Sequence, residues 1–284
     1  MKVDNLIADS IAPSTKKVYD KAVSTYLNFC QQYDIKDKYC SETIELFVAH
    51  LAQTGIQAKS IKSTLSGIRH HCDINYIDFH HNTPRISMML RGIARSCVKS
   101  TRPKNAVRIS HLKKICNSAA VLFETKVAVT LRSLFTMAFF AMLRPSEMLH
   151  APSSPQHQLK RSSVMMKRDK IKLTFDSYKH SDGAVSIHVQ RMDCDILVCP
   201  WRLLNCYLSQ YVSNDCDPLY PYSVCEVGNM LQQCLAHAGV KTALTLHSFR
   251  RGGATWYSEQ GITNAKLAAI GRWKSNAYLR YVKP

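Results

Sequence analysis

Apolar residues recur at helical spacing through the first hundred positions. After Pro13-Ser14-Thr15, a helix start, Tyr19, Ala22, Tyr26, Phe29 and Tyr33 mark one stripe. Ser41 is placed to cap a second helix that buries Ile44, Phe47, Val48 and Leu51 and stops near Gly55. A third is predicted from about Ala58 to Cys72, with Ile61, Leu65, Ile68 and Cys72 inward. A fourth covers roughly Arg85 to Val98, with Met89, Leu90 and Ile93 inward. The polar, Pro-bearing run KSTRPKNA, Lys99 to Ala106, reads as a linker. Beyond it Ser110 is a candidate N-cap, and Leu131 to Met142 is apolar enough for a buried helix. The pattern then changes. Val164, Ile171, Leu173, Phe175, Val185, Ile187 and Val189 alternate or cluster as strands around a Ser-Asp-Gly turn, and helices return from about Cys199. The chain is therefore expected to be mainly α, a helical domain over 1–104 followed by an α+β domain over 105–284 with a small antiparallel sheet.

Charge gives this architecture a partner. The net charge is +18, from 38 basic and 20 acidic residues. Up to residue 105 there are 15 Lys and Arg against 9 Asp and Glu; beyond it, 23 against 11. Both domains are basic, so the partner implied is a polyanion broad enough to touch each. On the third and fourth helices Lys59, Lys62, Ser66, Arg69, Arg91 and Arg95 lie opposite the apolar stripe, with no acidic residue expected among them. Such faces suit phosphate oxygens, although a plain solvated face would look the same.

Other classes are excluded. No apolar run reaches the ~18 residues of a membrane span. The longest candidate, VLFETKVAVTLRSLFTMAFFAML, is interrupted by Glu124, Lys126 and Arg132. MKVDNLIADS lacks the apolar core of a signal peptide, so nuclear or cytosolic residence is expected. Eleven cysteines without a CxxC pair fit neither a disulfide framework nor a zinc ribbon; Cys30, Cys72 and Cys206 read as small hydrophobes. His70, His71 and Cys72 with His80 and His81 lack a recognised ligand spacing, and no metal site is expected.

The chemistry concentrates near the C-terminus. In LHSFRRGGATWYSEQG, His247 and Arg250 stand three apart and share one face of a helix. Trp273 in GRWKS and Tyr281, on a predicted final helix, follow. With Arg144 from FFAMLRPSEML they supply two guanidiniums, an imidazole and a phenol. Arginine donates to two oxygens at once and stays charged, so two from distant segments can clamp a phosphodiester without a metal. A tyrosine nucleophile keeps the bond energy in a phosphotyrosine link, so no cofactor is expected. Tyr278 is the alternative nucleophile, and Tyr257 reads as packing.

These motifs together resemble the tyrosine recombinases, the superfamily of phage integrases and Cre-type enzymes. The chain is most similar to the eukaryotic branch carried by DIRS-like, Ngaro and Crypton mobile elements. The resemblance spans nearly the whole chain and implies a SAM-like core-binding domain before the catalytic domain. MLRPSE assigns Arg144 to the phosphate and Glu147 to a supporting role. SYKHSDG makes Lys179 the general acid, with Lys167, Lys170 and Lys172 as rivals. HSFR implies that His247 assists proton transfer and that Arg250 is the second clamp; Trp273 offers its indole N–H, and Tyr281 falls at the nucleophile position. The resemblance further implies double-stranded DNA as substrate, a homo-oligomer (dimer or tetramer) on it, nuclear residence, and integration or excision of a mobile element. A domesticated, non-cleaving DNA-binding protein and a type IB topoisomerase-like nicking enzyme are the alternatives.

Overall fold

A computed structural model describes residues 6–7, 9–96, 105–150, 158–176, 183–193, 195–211 and 214–280. Lys179, Tyr281 and most of the expected linker lie outside the described residues. The chain divides into two compact units, Met1–Thr101 and Arg102–Pro284.

The described residues of the first unit include the helices α1 (Pro13–Gln32), α2 (Ser41–Gln53), α3 (Ala58–Ile74) and α4 (Pro84–Ser96). Proline at the first turn of α1 costs nothing there, because that N–H has no helical partner. The stripes meet in one core in which Tyr26, Phe29, Ile44, Phe47, Ile61, Leu65, Ile68, Cys72, Ile86 and Leu90 are buried. Tyr26 and Phe47 meet edge-on, 4.8 Å between ring centres. Tyr33 departs from expectation: it follows the last helical residue and stays 54% exposed, leaning on Phe29 and His50. Ser41 is also corrected. The helix is capped from Cys40, and the Ser41 hydroxyl turns to Glu42 instead.

The second unit is built around α6 (Thr125–Phe140), which is buried on nearly every side. Against it pack α5 (Ile109–Leu122), α8 (Pro200–Tyr211) and α10 (Leu246–Glu259). Between them come α7 (Pro145–Met148), α9 (Val224–His237), and after them α11 (Asn264–Gly271) with a 3-10 turn at Asn276–Arg280. Of the final helix expected to carry Tyr281, the described residues include only this short turn, and Tyr281 lies outside them. α5 starts one residue before Ser110, with Arg108 at the cap position. Strands β1 (Val164–Met166), β2 (Lys170–Phe175) and β3 (Val185–Gln190) form an antiparallel sheet in that order, with Leu173 opposite both Val164 and Ile187. Period-2 alternation buries Ile171, Leu173 and Phe175 and turns Lys170 and Lys172 to the other face.

Two glycines set how closely α10 approaches α6. A Cβ on Gly252 would stand 2.0 Å from the Val107 carbonyl oxygen, and one on Gly253 2.0 Å from that of Phe139. No helix among the described residues is long and apolar enough to cross a membrane. Burial pushes the Cys72 thiol up to about 11 and that of Cys116 to about 12, which fits packing rather than reactive cysteines.

Candidate active site

Two interruptions of helix geometry create the site. α6 ends at Phe140, and Met142 takes a left-handed conformation (φ 47°) that turns the chain into Leu143-Arg144. α11 ends in the same way, with Arg272 left-handed at φ 54°, ψ 45°. Both breaks leave helix-terminal carbonyls without helical partners, and buried arginines satisfy them. Arg250, five residues into α10 and 2% exposed, donates through Nη1 to the Met142 carbonyl and through Nη2 to that of Gly271. Its guanidinium also lies over the Trp273 ring, 4.6 Å from the centre. A single side chain thereby ties the segment leading into Arg144 to the turn that carries Trp273.

Glu147 organises the remaining charges. It is 1% exposed. Its Oε1 accepts from Arg144 Nη1 at 2.7 Å, and its Oε2 accepts the Arg144 backbone N–H at 2.7 Å and Arg272 Nη2 at 2.7 Å. Burial alone would raise this carboxyl, but the Arg272 and Arg144 guanidiniums outweigh it and hold the group below the usual carboxylate range. A depressed folded pKa contributes stability above the unfolded value of ~4.3, and that contribution is lost as pH falls through the folded pKa. Glu147→Gln should therefore destabilise the chain at neutral pH by about 3–5 kcal/mol, the cost of stranding buried cations. The gap to the wild type should narrow as pH falls below ~4.3; thermal melts at pH 7 and pH 3.5 read that narrowing, and a gap that ignores pH overturns the assignment.

Arg144 is the cation with an open side. Its side chain is 18% exposed while Glu147 holds one terminal nitrogen. Among the described residues three guanidiniums stand against one carboxylate, an excess of positive charge, although Arg250 and Arg272 are almost wholly buried. Arg272 was not legible as a site residue: in the sequence it is one of 38 basic residues. Here it donates to Ile270 O at 2.9 Å and stacks on Phe175 at the end of β2, 4.3 Å from the ring centre.

The other expected residues fall as follows. His247 lies three residues before Arg250 on α10 and is exposed. Trp273 is half-buried between Arg250 and Tyr278, whose ring centre is 6.4 Å away. Tyr278 packs with Trp273 on a small cluster of Met142, Ala254 and Leu267. Tyr257 donates to Phe140 O at 2.9 Å, and burial raises its phenol well above the usual range. Phe175 brings β2 to the cluster, and Lys179 follows four residues later, outside the described residues. Arg144, Glu147, Arg250 and Trp273 are thus brought together, from positions as much as 129 apart in the chain.

In the first unit Lys59, Lys62, Ser66, Arg69, Arg91 and Arg95 are all exposed. The expectation that no acid neutralises them fails at one position: Asp73, one turn after Arg69, binds its Nε at 2.6 Å. Among the described residues no group of three His, Cys, Asp or Glu has the geometry to hold a metal, the histidines around Cys72 included.

No family model and no curated protein sequence matches the chain. Solved structures do match. A XerH site-specific recombinase bound to palindromic difH substrate, in a post-cleavage complex, superposes with a TM-score of 0.65 at 12% identity, covering 94% of this chain and 76% of that one. The Tn1549 transposon integrase in complex with transposon right end DNA gives 0.62 at 11% identity, with 95% of each chain covered. A lambda integrase dimer bound to a COC' core site gives 0.59 at 16%, covering 93% and 71%. The mainly helical fold with its small antiparallel sheet is that of the tyrosine recombinases.

Proposed function

We propose that the chain is a site-specific DNA recombinase or integrase that cuts and rejoins duplex DNA through a 3′-phosphotyrosine intermediate. The observation that carries this reading is the convergence of Arg144 and Arg272 on one buried carboxylate, with the Arg250 charge near enough to act on the same group. A phosphodiester carries one negative charge, and a second develops as the nucleophile adds. A preorganised excess of guanidinium charge is suited to that change.

In this scheme Tyr281 Oη attacks phosphorus, in line with the bond to the 5′ oxygen. The phenol proton passes to His247, the P–O5′ bond breaks, and Lys179 gives its proton to the departing oxygen. Arg144, whose side chain has an open side, holds one non-bridging oxygen; Arg250 holds the other by exchanging the Met142 and Gly271 carbonyls for the phosphate, and the Trp273 indole N–H donates to the same phosphate. The freed 5′ hydroxyl of a partner strand then reverses the step on the phosphotyrosine. Residues 1–104 form the core DNA-binding domain, with Lys59, Lys62, Ser66, Arg69, Arg91 and Arg95 toward phosphates, and residues 105–284 form the catalytic domain. Exchange between two duplexes requires more than one copy on DNA, so a homo-oligomer is part of the proposal. So are an origin in the DIRS, Ngaro and Crypton branch and residence in the nucleus.

Covalent trapping tests the reading. Incubated with a nicked duplex library of randomised core sequence, in EDTA and without ATP, the chain should give a DNA-linked band that survives denaturation. Sequencing the trapped DNA would then reveal the target. A mobility shift without any denaturation-resistant band would overturn cleavage and leave a binder. Relaxation of supercoils without partner exchange would overturn recombination.

A further inference from the structure

Arg272 has no step of its own in the reaction above, yet it has the most elaborate buried surroundings of any cation in the site. Its side chain is fully enclosed. Nη2 meets Glu147 Oε2 at 2.7 Å, Nη1 donates to Ile270 O at 2.9 Å, and longer contacts of 3.4 and 3.3 Å reach the Ala141 and Met142 carbonyls. The plane of the guanidinium rests on Phe175. It therefore touches the end of α6, the start of the Arg144 segment, the end of β2 and the turn that precedes the Tyr281 segment.

We propose that Arg272 is a positioning residue for the Arg144 guanidinium, acting through Glu147 and making a competent phosphate clamp depend on a docked C-terminal turn. The proposal rests on the reading of the chain as a DNA-cleaving enzyme. Two physical effects support it. The first is geometric: a carboxylate bound only by Arg144 can rotate about its terminal bond, whereas Arg272 and the Arg144 backbone N–H fix Oε2, so Oε1 presents one direction to Arg144. The second is electrostatic. Glu147 alone would cancel Arg144 and make a neutral pair with little pull on a phosphate. Shared between two guanidiniums, it orients Arg144 and leaves a net positive charge in a buried setting, where such charge acts most strongly. A carboxylate serving two cations can aim one of them without silencing it.

The test compares Arg272→Met, Arg272→Lys and the double variant Glu147→Gln/Arg272→Met with the wild type. Four quantities are read: melting temperature, duplex binding, single-turnover formation of the DNA-linked species, and the NMR signals of the Arg144 guanidinium, assigned by their loss in Arg144→Lys. Arg272→Met should bind duplex like the wild type but form the adduct slower by on the order of 100-fold, as expected of a reacting group displaced by an ångström. The Arg144 signals should shift or broaden. The double variant, which removes both buried charges, should recover melting temperature without recovering the rate. Arg272→Lys keeps the charge but not the fork and should recover the rate only in part. A folded Arg272→Met variant that cleaves normally would overturn the proposal, as would unmoved Arg144 signals, or rate and stability recovering together in the double variant. Should Arg272→Met fail to fold, the double and lysine variants decide by the same criteria. If the wild type itself forms no adduct, the cleavage reading falls, and the Arg144 signals in the free protein still decide the positioning role.

Discussion

Tyr281→Phe is expected to abolish the DNA-linked species while duplex binding persists. The change removes one oxygen and preserves the ring, so shape and charge toward DNA are kept and only the nucleophile is lost. Losses on the order of 10⁴–10⁶-fold accompany removal of a nucleophile from a site whose members act as a unit. A free tyrosine titrates near ~10, so in the proposed scheme the phenol would shed its proton during attack at neutral pH, and guanidinium charge beside it would favour the phenolate. Tyr278→Phe is the matched control. Its ring packs beside Trp273, and the substitution keeps that contact, so the adduct should still form. Both variants are read on a denaturing gel with the trapping duplex and on a native gel for binding. An adduct that survives in Tyr281→Phe and vanishes in Tyr278→Phe would move the nucleophile one turn back along the chain.

What the sequence reveals about this molecule follows from the range of the interactions involved. Local periodicity is visible in one dimension, so the stripes of α1 to α4 and the alternation of Ile171, Leu173 and Phe175 emerge directly; the shared face expected of His247 and Arg250 does not, because Arg250 is buried while His247 is exposed. Helix starts are less sharp, because a cap is one residue's conformation. Ser41 is the first residue of α2 and Ser110 the second of α5, so the cap positions fall earlier, on Cys40 and Arg108. The Arg69–Asp73 pair is local, one helical turn, but its acid stands just beyond Cys72, where the apolar stripe ends. The site shows the sharper limit. Arg144 and Arg250 stand out through their motif neighbours, Pro-Ser-Glu and His-Ser-Phe. Arg272 does not, because burial of a guanidinium against Glu147, 125 positions away, is a tertiary fact. The left-handed turn at Met142 is equally hidden: no glycine or asparagine marks it, and two buried guanidiniums that donate to its own carbonyl hold it in place.

Gly253→Ala should destabilise the second unit although alanine is the better helix former. In an open helix the change gains about 1 kcal/mol, and it also lowers the entropy of the unfolded chain. Here the added methyl would stand 2.0 Å from the Phe139 carbonyl oxygen, 3.1 Å from its carbon and 3.0 Å from Met142 Cγ. Backbone cannot swing aside as a side chain does, so α10 must back away from α6. Overpacking of this kind costs about 1–3 kcal/mol or more, and the upper end applies when main chain is the obstacle. For a unit of this size each kcal/mol lowers the melting temperature by about 2–4 °C, so a fall on the order of 10 °C is expected. Gly228→Ala supplies the opposite sign: it lies in α9 with open space where its Cβ would go, and it should hold or raise the melting temperature. The same displacement must reach the site, because Gly253 lies three residues from Arg250, whose guanidinium binds the Met142 carbonyl. Gly253→Ala should therefore slow adduct formation even at temperatures where the chain remains folded. A variant that melts and cleaves like the wild type would show that α10 does not need this close approach, and the glycine pair in RRGGAT would lose its physical explanation.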